Sequence, residues 1–392
     1  MNILFIQWAG NYKDAYENIF VSGNEQTFYG QKYTVEFVSN LAKLGHTVKT
    51  ITVQTSAHNV ELAPNLFSTG LPAGENYHSK LWHLINEFKP HRAIVRFPDA
   101  KILAYLRKCG VPVLPAFADS FEKIKIWKVR GFWQRAQLSS ELKHNCIRWV
   151  GNHQINAAKS LVSIGVQPEK VLAYDWVHDD GPENWTKVLP QDISKKTLRF
   201  FYAGGINRAK GLYDVIDAIK LLKKKGREAV LRVAGRGSAS ELEAYVKSSG
   251  LTDNVTNLGL VSHSTILKEM NASDFVLVAS RHSYPEGLPM TIMESLMTHT
   301  PVIASDHPMF VGRVGTMGSV KFFKAASPSS LADVIISSCS DPKEYQMMCE
   351  NAPEEWRALV LDLKWAEMVK VWIEDPEGAD FSEYNYLNVV EA

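Results

Sequence analysis

Cysteine is scarce in this 392-residue chain: Cys109, Cys146, Cys339 and Cys349 stand apart with no CxxC spacing. That pattern excludes a disulfide framework and a cysteine-built structural zinc site, and it fits a reducing compartment. Long apolar runs are missing as well, and none approaches the roughly 20 residues of a membrane span. Residues 1–8 carry neither a basic n-region nor a cleavage site, so no signal peptide is expected and the chain reads as cytoplasmic. Excess charge of one sign is also lacking, since the formal net charge is +1. A uniformly basic nucleic-acid binder is therefore not expected.

The total hides an asymmetry. Residues 1–180 hold 20 Lys and Arg against 15 Asp and Glu, a balance of +5, while the remainder hold 23 against 27, a balance of −4. A basic front half invites an anionic surface or acceptor. Hydrophobic content of 45% and charged content of 22% are those of an ordinary globular protein. A chain this long exceeds what one core usually supports, so two domains are expected.

Short apolar runs alternate with helical periodicity along the whole chain. Strands are expected at 2–8, 48–53, 93–97, 111–117 and 171–176, with helices between them from Tyr33 to Leu44 and at 80–88, 101–108 and 157–164. The stretch from Ala9 to Gly30 reads as a loop. Such alternation implies a parallel sheet whose ligand lies beyond the strand carboxyl ends. Arg96 and Asp119 fall there, although an ordinary loop ion pair explains each equally well. Residues 182–197, with two prolines and no periodicity, read as an interdomain linker.

Residues 121–150 combine Lys123, Lys125, Lys128, Arg130, Arg135, Lys143 and Arg148 with Ile124, Ile126, Trp127, Phe132 and Trp133. Two readings stand side by side. One is a helix at the inner face of a membrane, drawn to anionic lipid. The other is a helix with solvated lysines and buried tryptophans.

The second half repeats the alternation, with strands at 198–203, 229–234, 255–258, 275–279, 302–304 and 320–323. Its strand-end loops are 204–211, containing Gly205, Arg208 and Lys210; 235–238, opening on Gly235; 259–262, ending in Val261 and Ser262; and 280–289. Pro289 suits a helix start, which sets Glu286 before the helix, Met290 in its first turn and Glu294 within it. The free N–H groups of that turn favour an anion such as phosphate. Taken singly, Glu286 also fits a loop acid favoured by the helix dipole, and Glu294 a solvated helix residue. Apolar spacing over residues 356–374 predicts one C-terminal helix, and 375–392 reads as an acidic tail.

Over residues 198–305 the chain resembles the family 4 retaining glycosyltransferases of the GT-B fold. The resemblance is carried by Lys210-Gly211, by Ala234-Gly235-x-Gly237, by Asn271-Ala-Ser-Asp274, and by the Glu-x7-Glu spacing of Glu286 and Glu294 ahead of Pro301-Val-Ile-Ala304. It implies two Rossmann-like doubly wound α/β domains facing across a cleft: an acceptor-side domain over 1–181 and a nucleotide-sugar domain over 198–355, with the C-terminal helix crossing back to the first domain. It implies further that Lys210 and Arg208 grip the donor diphosphate and that Glu286 faces the donor sugar. The backbone through Gly287, Leu288, Pro289 and Met290 would meet the distal phosphate, Glu294 the ribose diol, and Gly235, Val261 and Ser262 the base. No metal or further cofactor is implied, in keeping with the lack of a strand-end Asp-x-Asp. The partners would be a nucleotide sugar and a saccharide or lipid-linked glycan acceptor. Three positions depart from the family: Gly205 where many members have arginine, Asp119 where a histidine is common, and His299 where a glycine is usual. A hexosyltransferase of polysaccharide or cell-envelope glycan synthesis leads, with a sugar-nucleotide epimerase and a non-catalytic sugar-nucleotide-binding protein as alternatives.

Overall fold

The computed structural model describes residues 1–8, 10–27, 30–72, 74, 77–121 and 129–391, with side chains throughout except those of 129–132 and 390–391. The chain forms two units: residues 1–177 with 361–392, and residues 178–360.

Unit 1 is built from β1 (Asn2–Trp8), α1 (Tyr12–Tyr16), α2 (Gln31–Lys43), β2 (Thr47–Val53), β3 (His58–Ala63), β4 (Leu66–Leu71), α3 (Tyr77–Phe88), β5 (Arg92–Val95) and α4 (Ala100–Lys108). It continues with β6 (Val113–Phe117), α5 (Val129–Leu142), β7 (Val150–His153), α6 (Ile155–Ser163) and β8 (Val171–Tyr174). The sheet order is β3-β4-β2-β1-β5-β6-β7-β8, parallel except for β3. β1 sends Ile3 and Phe5 into one core cluster and Leu4 and Ile6 into another. That is the burial on both faces expected of a central parallel strand.

Unit 2 contains β9 (Leu198–Ala203), α7 (Leu212–Lys224), β10 (Ala229–Ala234), α8 (Ala239–Ser248), β11 (Val255–Gly259), α9 (His263–Ala272) and β12 (Phe275–Val278). After these come α10 (Met290–Met297), β13 (Val302–Ser305), β14 (Val320–Phe323), α11 (Pro328–Ser338) and α12 (Pro342–Leu359). Its order is β11-β10-β9-β12-β13-β14, parallel throughout. In both sheets the strand order reverses beside the first strand, between β1 and β5 in unit 1 and between β9 and β12 in unit 2. Ligands of open α/β sheets bind at such switch points.

Several expectations are corrected. The loop from Ala9 to Gly30 contains α1, started by Asn11, whose side chain accepts from the Lys13 N–H. The β3–β4 hairpin went unread; Asn65 turns it in the left-handed region at φ 64°. Residues 182–197 are not a free linker. Ile193 is fully buried, and the Lys187 ammonium donates to the Asn271 and Ser273 carbonyls and to Thr300 Oγ1, all within unit 2. The helix predicted over 356–374 is two helices, α12 and α13 (Trp365–Glu374). Between them the backbone bonds to the continuation of β8: Asp175 N–H donates to Leu363 O at 2.9 Å, and Trp365 N–H to Asp175 O at 2.8 Å. Those bonds compete with helical ones, so the helix breaks. The acidic tail is folded too, with Ala379 and Phe381 buried and α14 (Tyr386–Glu391) closing the chain. Of the basic stretch, residues 122–128 lie outside those described, including Lys123, Lys125, Trp127 and Lys128. Trp133 is exposed, contrary to the buried-tryptophan reading. No helix among the described residues is long and apolar enough to cross a membrane.

Candidate functional site

The loops after β9 and β12 meet at the unit 2 switch point. Gly211 makes this possible: its φ is +76°, and a Cβ there would lie 1.9 Å from the Ala279 carbonyl oxygen. Beside it, the Arg281 N–H donates to Ala209 O at 2.9 Å. Arg281 also forms a two-pronged bond to Asp214 of α7, at 2.8 and 2.6 Å, which fixes the loop against that helix. Gly235 allows the equivalent approach of the β10 loop, since a Cβ would sit 1.8 Å from Gly204 O. Its N–H reaches Gly259 O at 2.9 Å, so the loops after β9, β10 and β11 are joined by backbone contacts.

Lys210 and Glu286 come together at this junction as an ion pair. Glu286 is buried at 7% exposure, and Ser280 Oγ donates to the same carboxylate oxygen at 2.5 Å. The Lys210 ammonium also lies 4.6 Å from the centre of the Tyr284 ring. Tyr202, at the end of β9, donates its hydroxyl to Gly205 O at 3.0 Å and so braces the loop from below. Proximity to Glu286 adds to burial in pushing that phenol's pKa up.

The next residues lead into α10. Pro289 is its N-cap residue and Met290 its first helical position, as the sequence predicts. The N–H groups of Gly287 and Leu288 donate to no acceptor among the described residues. Met290 and Thr291 belong to the first turn, whose N–H groups a helix leaves unpaired. Thr291 Oγ1 donates to Ala203 O at 3.4 Å, which sets this turn over the end of β9. A cation, a buried carboxylate and a row of free amides therefore share one point.

The second glutamate behaves differently from a solvated helix residue. Glu294 is 6% exposed and pairs with His263 Nε2 at 2.6 Å. His263 opens α9 directly after Ser262, which caps the helix by accepting from the Thr265 N–H at 3.3 Å. Arg208 does not join Lys210. It is exposed and stacks on Tyr213 and Tyr245, its guanidinium carbon 4.9 and 5.8 Å from their ring centres. His299 adopts φ +58°, the left-handed conformation that favours glycine. Its ring bonds to Pro182 O at 2.9 Å, which offsets part of the strain. Asp119 lies in unit 1 past the end of β6, tied through its backbone to Asn152 at 3.3 and 2.9 Å. Burial pushes its carboxyl up to about 6. Sequence reasoning missed Ser280, His263, Tyr202 and Arg281. The first and last of these stand inside the stretch that carries Glu286, but His263 has no signal beyond following the Ser262 cap.

Two α/β units with parallel, Rossmann-like sheets constitute the GT-B fold seen in glycosyltransferases. Residues 185–355, within unit 2, match the family model described as glycosyl transferases group 1. The chain is similar to alpha-D-kanosaminyltransferase of Streptomyces kanamyceticus, with 30% identity over 154 residues, 38% of this chain and 39% of that protein. It therefore spans about two fifths of that curated relative. Among solved structures, sucrose-phosphate synthase from Thermosynechococcus elongatus aligns with a TM-score of 0.67 at 15% identity, covering 97% of this chain and all (100%) of the other. HepE of Anabaena, solved in complex with UDP-glucose, aligns with a TM-score of 0.60 at 16% identity, covering 96% and 99%. At such identities the likeness is one of fold.

Proposed function

We propose that this protein is a retaining, metal-independent glycosyltransferase that moves a hexose-type sugar from a nucleoside-diphosphate sugar to a saccharide or glycoconjugate acceptor, in polysaccharide or cell-envelope glycan synthesis. The observation that carries the reading is the meeting of Lys210, buried Glu286 and the free amides of Gly287 and Leu288 at one switch point. The similarity to a kanosaminyltransferase and the fold shared with a protein solved with UDP-glucose support it.

In this mechanism the bond from the anomeric carbon to the β-phosphate oxygen breaks while the acceptor oxygen bonds the same carbon on the same face. The acceptor proton passes to the leaving phosphate. Lys210 keeps one donor on Glu286 and turns the others to the diphosphate, and the α10 amides take its remaining charge. Preorganised charges and dipoles of this kind usually supply the greater part of an enzyme's rate enhancement. Arg208 adds a second cation by leaving its tyrosine rings, at a cost of about 0.5–1 kcal/mol per exposed cation–π contact. Glu286 accepts from a donor-sugar hydroxyl. Glu294, steered by His263, accepts from the ribose diol, and the backbone at Gly235, Val261 and Ser262 meets the base. Asp119 serves the acceptor side. The protein works in the cytoplasm, held at the inner face of the membrane by the basic stretch 121–150, and needs no further cofactor.

The test is incubation with UDP-, GDP- and ADP-hexoses and detection of released nucleotide. Turnover by Glu286→Ala or Lys210→Ala equal to that of the wild type removes the assignment to this site. Binding to anionic liposomes at low salt tests the membrane contact, and its absence removes that part.

A further inference from the structure

Arg96 is one of two residues that the strand pattern sets at a carboxyl end, where an ordinary loop ion pair is an equally good explanation. No carboxylate among the described residues pairs with it. It directly follows β5, beside β1, so it stands at the switch point of the unit 1 sheet. Its backbone is set by an N–H bond to Ile6 O at 2.9 Å.

The guanidinium carbon lies 4.9 Å from the ring centre of Trp365 and 5.6 Å from that of Trp176. Those two centres are only 5.7 Å apart, so the indoles form one aromatic floor, and Arg96 on it is half-buried. Trp365 is fully buried, which makes the floor rigid. Nη1 donates one long bond, 3.3 Å, to Gln7 Oε1. Gln7 is pinned in turn by donating to Gly10 O at 2.6 Å and to Thr52 Oγ1 at 3.2 Å. Asp175, next to Trp176 in sequence, is turned to the Leu361 N–H at 3.2 Å and to Lys364 at 3.7 Å.

An apolar side chain would pack on this floor with no charge to desolvate. The charge present instead calls for a counter-ion, and a planar fork of N–H donors matches a carboxylate or a phosphate. We propose that Arg96, with Gln7 beside it, forms an oxyanion subsite at the unit 1 switch point, and that it takes a carboxylate or phosphate carried by the saccharide acceptor. Only the word acceptor rests on the transferase reading.

The experiment measures binding of glucuronate, glucose 6-phosphate, inorganic phosphate and glucose to the full chain without donor, by calorimetry, in the wild type, Arg96→Gln and Arg96→Lys. Near-ultraviolet circular dichroism confirms that the variants keep their tryptophan packing. The wild type binds at least one charged sugar, and Arg96→Gln weakens that binding roughly 10- to 100-fold, as expected for lost charge-assisted bonds. Arg96→Lys restores part of it, and glucose is indifferent to all three proteins. Binding of glucuronate alone assigns a uronate-type acceptor; binding of glucose 6-phosphate assigns a phosphorylated one, and equal binding of inorganic phosphate locates the recognition in the phosphate itself. Equal binding by wild type and Arg96→Gln, or no charged sugar bound up to its solubility limit, overturns the subsite. A chain that binds a charged sugar through Arg96 but releases nucleotide from no donor keeps the subsite and removes the transferase. Equal transfer to neutral and charged acceptors, with or without Arg96, does the reverse.

Discussion

Replacing Lys210 by methionine removes one partner of a buried pair and keeps most of the side-chain volume. Glu286, its side chain 9% exposed, then retains only the Ser280 hydroxyl as a donor among the described residues. Breaking a buried ion pair from one side costs roughly 3–5 kcal/mol. The Lys210 side chain is 20% exposed, which places the expected loss near the lower end, about 3 kcal/mol. Glu286→Gln alone costs about 1 kcal/mol, because the ammonium turns to water. The double variant has no stranded charge and costs about 2 kcal/mol, so the coupling is roughly 2 kcal/mol. Hydrogen exchange at the buried β9 and β12 amides reads the stability of unit 2 by itself. Additive losses, with a coupling below about 0.5 kcal/mol, would refute the pair as the organising contact of the site.

Three further predictions use other parts of the molecule. Because burial lifts the Asp119 carboxyl to about 6, transfer rises as pH increases through that value, and Asp119→Asn flattens this limb of the pH–rate profile. The folded pKa lies above the ordinary 3.8, so the same group makes stability fall as pH rises from about 4 to about 6, and urea midpoints of Asp119→Asn lack that slope. His263→Ala frees Glu294 from its 2.6 Å partner and weakens nucleotide binding roughly 5- to 10-fold by calorimetry, while the unit stays folded. Lys187→Met leaves the Asn271 and Ser273 carbonyls and Thr300 Oγ1 without their donor. It lowers stability by about 2–4 kcal/mol in the same exchange measurement, and an unchanged value means that residues 182–197 do not hold to unit 2 in solution.

Much of the chain was legible in its letters. The strands Leu198–Ala203, Ala229–Ala234 and Val320–Phe323 run as read, because a buried parallel strand is a continuous apolar run bounded by turn residues, a local signal. The start of α10 at Pro289 is equally local, being set by a missing N–H. The β3–β4 hairpin escaped because β3 is a half-buried edge strand, while in the mostly buried β4 Ser68, Thr69 and Gly70 interrupt the apolar run.

What only the tertiary structure decided is which side chains meet. Lys210 and Glu286 are 76 positions apart, and the switch between β9 and β12 joins them. Glu294 reads as a solvated helix acid until α9 brings His263 to it. Arg208 reads as a cation standing beside Lys210, whereas Tyr213 and Tyr245 hold its guanidinium here. The C-terminal periodicity promises one helix until Asp175 bonds to the backbone around Leu363. Periodicity and turn chemistry are written over a few neighbouring residues, so the sequence by itself determined two alternating α/β units and the loops that carry the site. Partner choice depends on strand order and on backbone approach, such as that of Gly211 to Ala279, which no local pattern encodes.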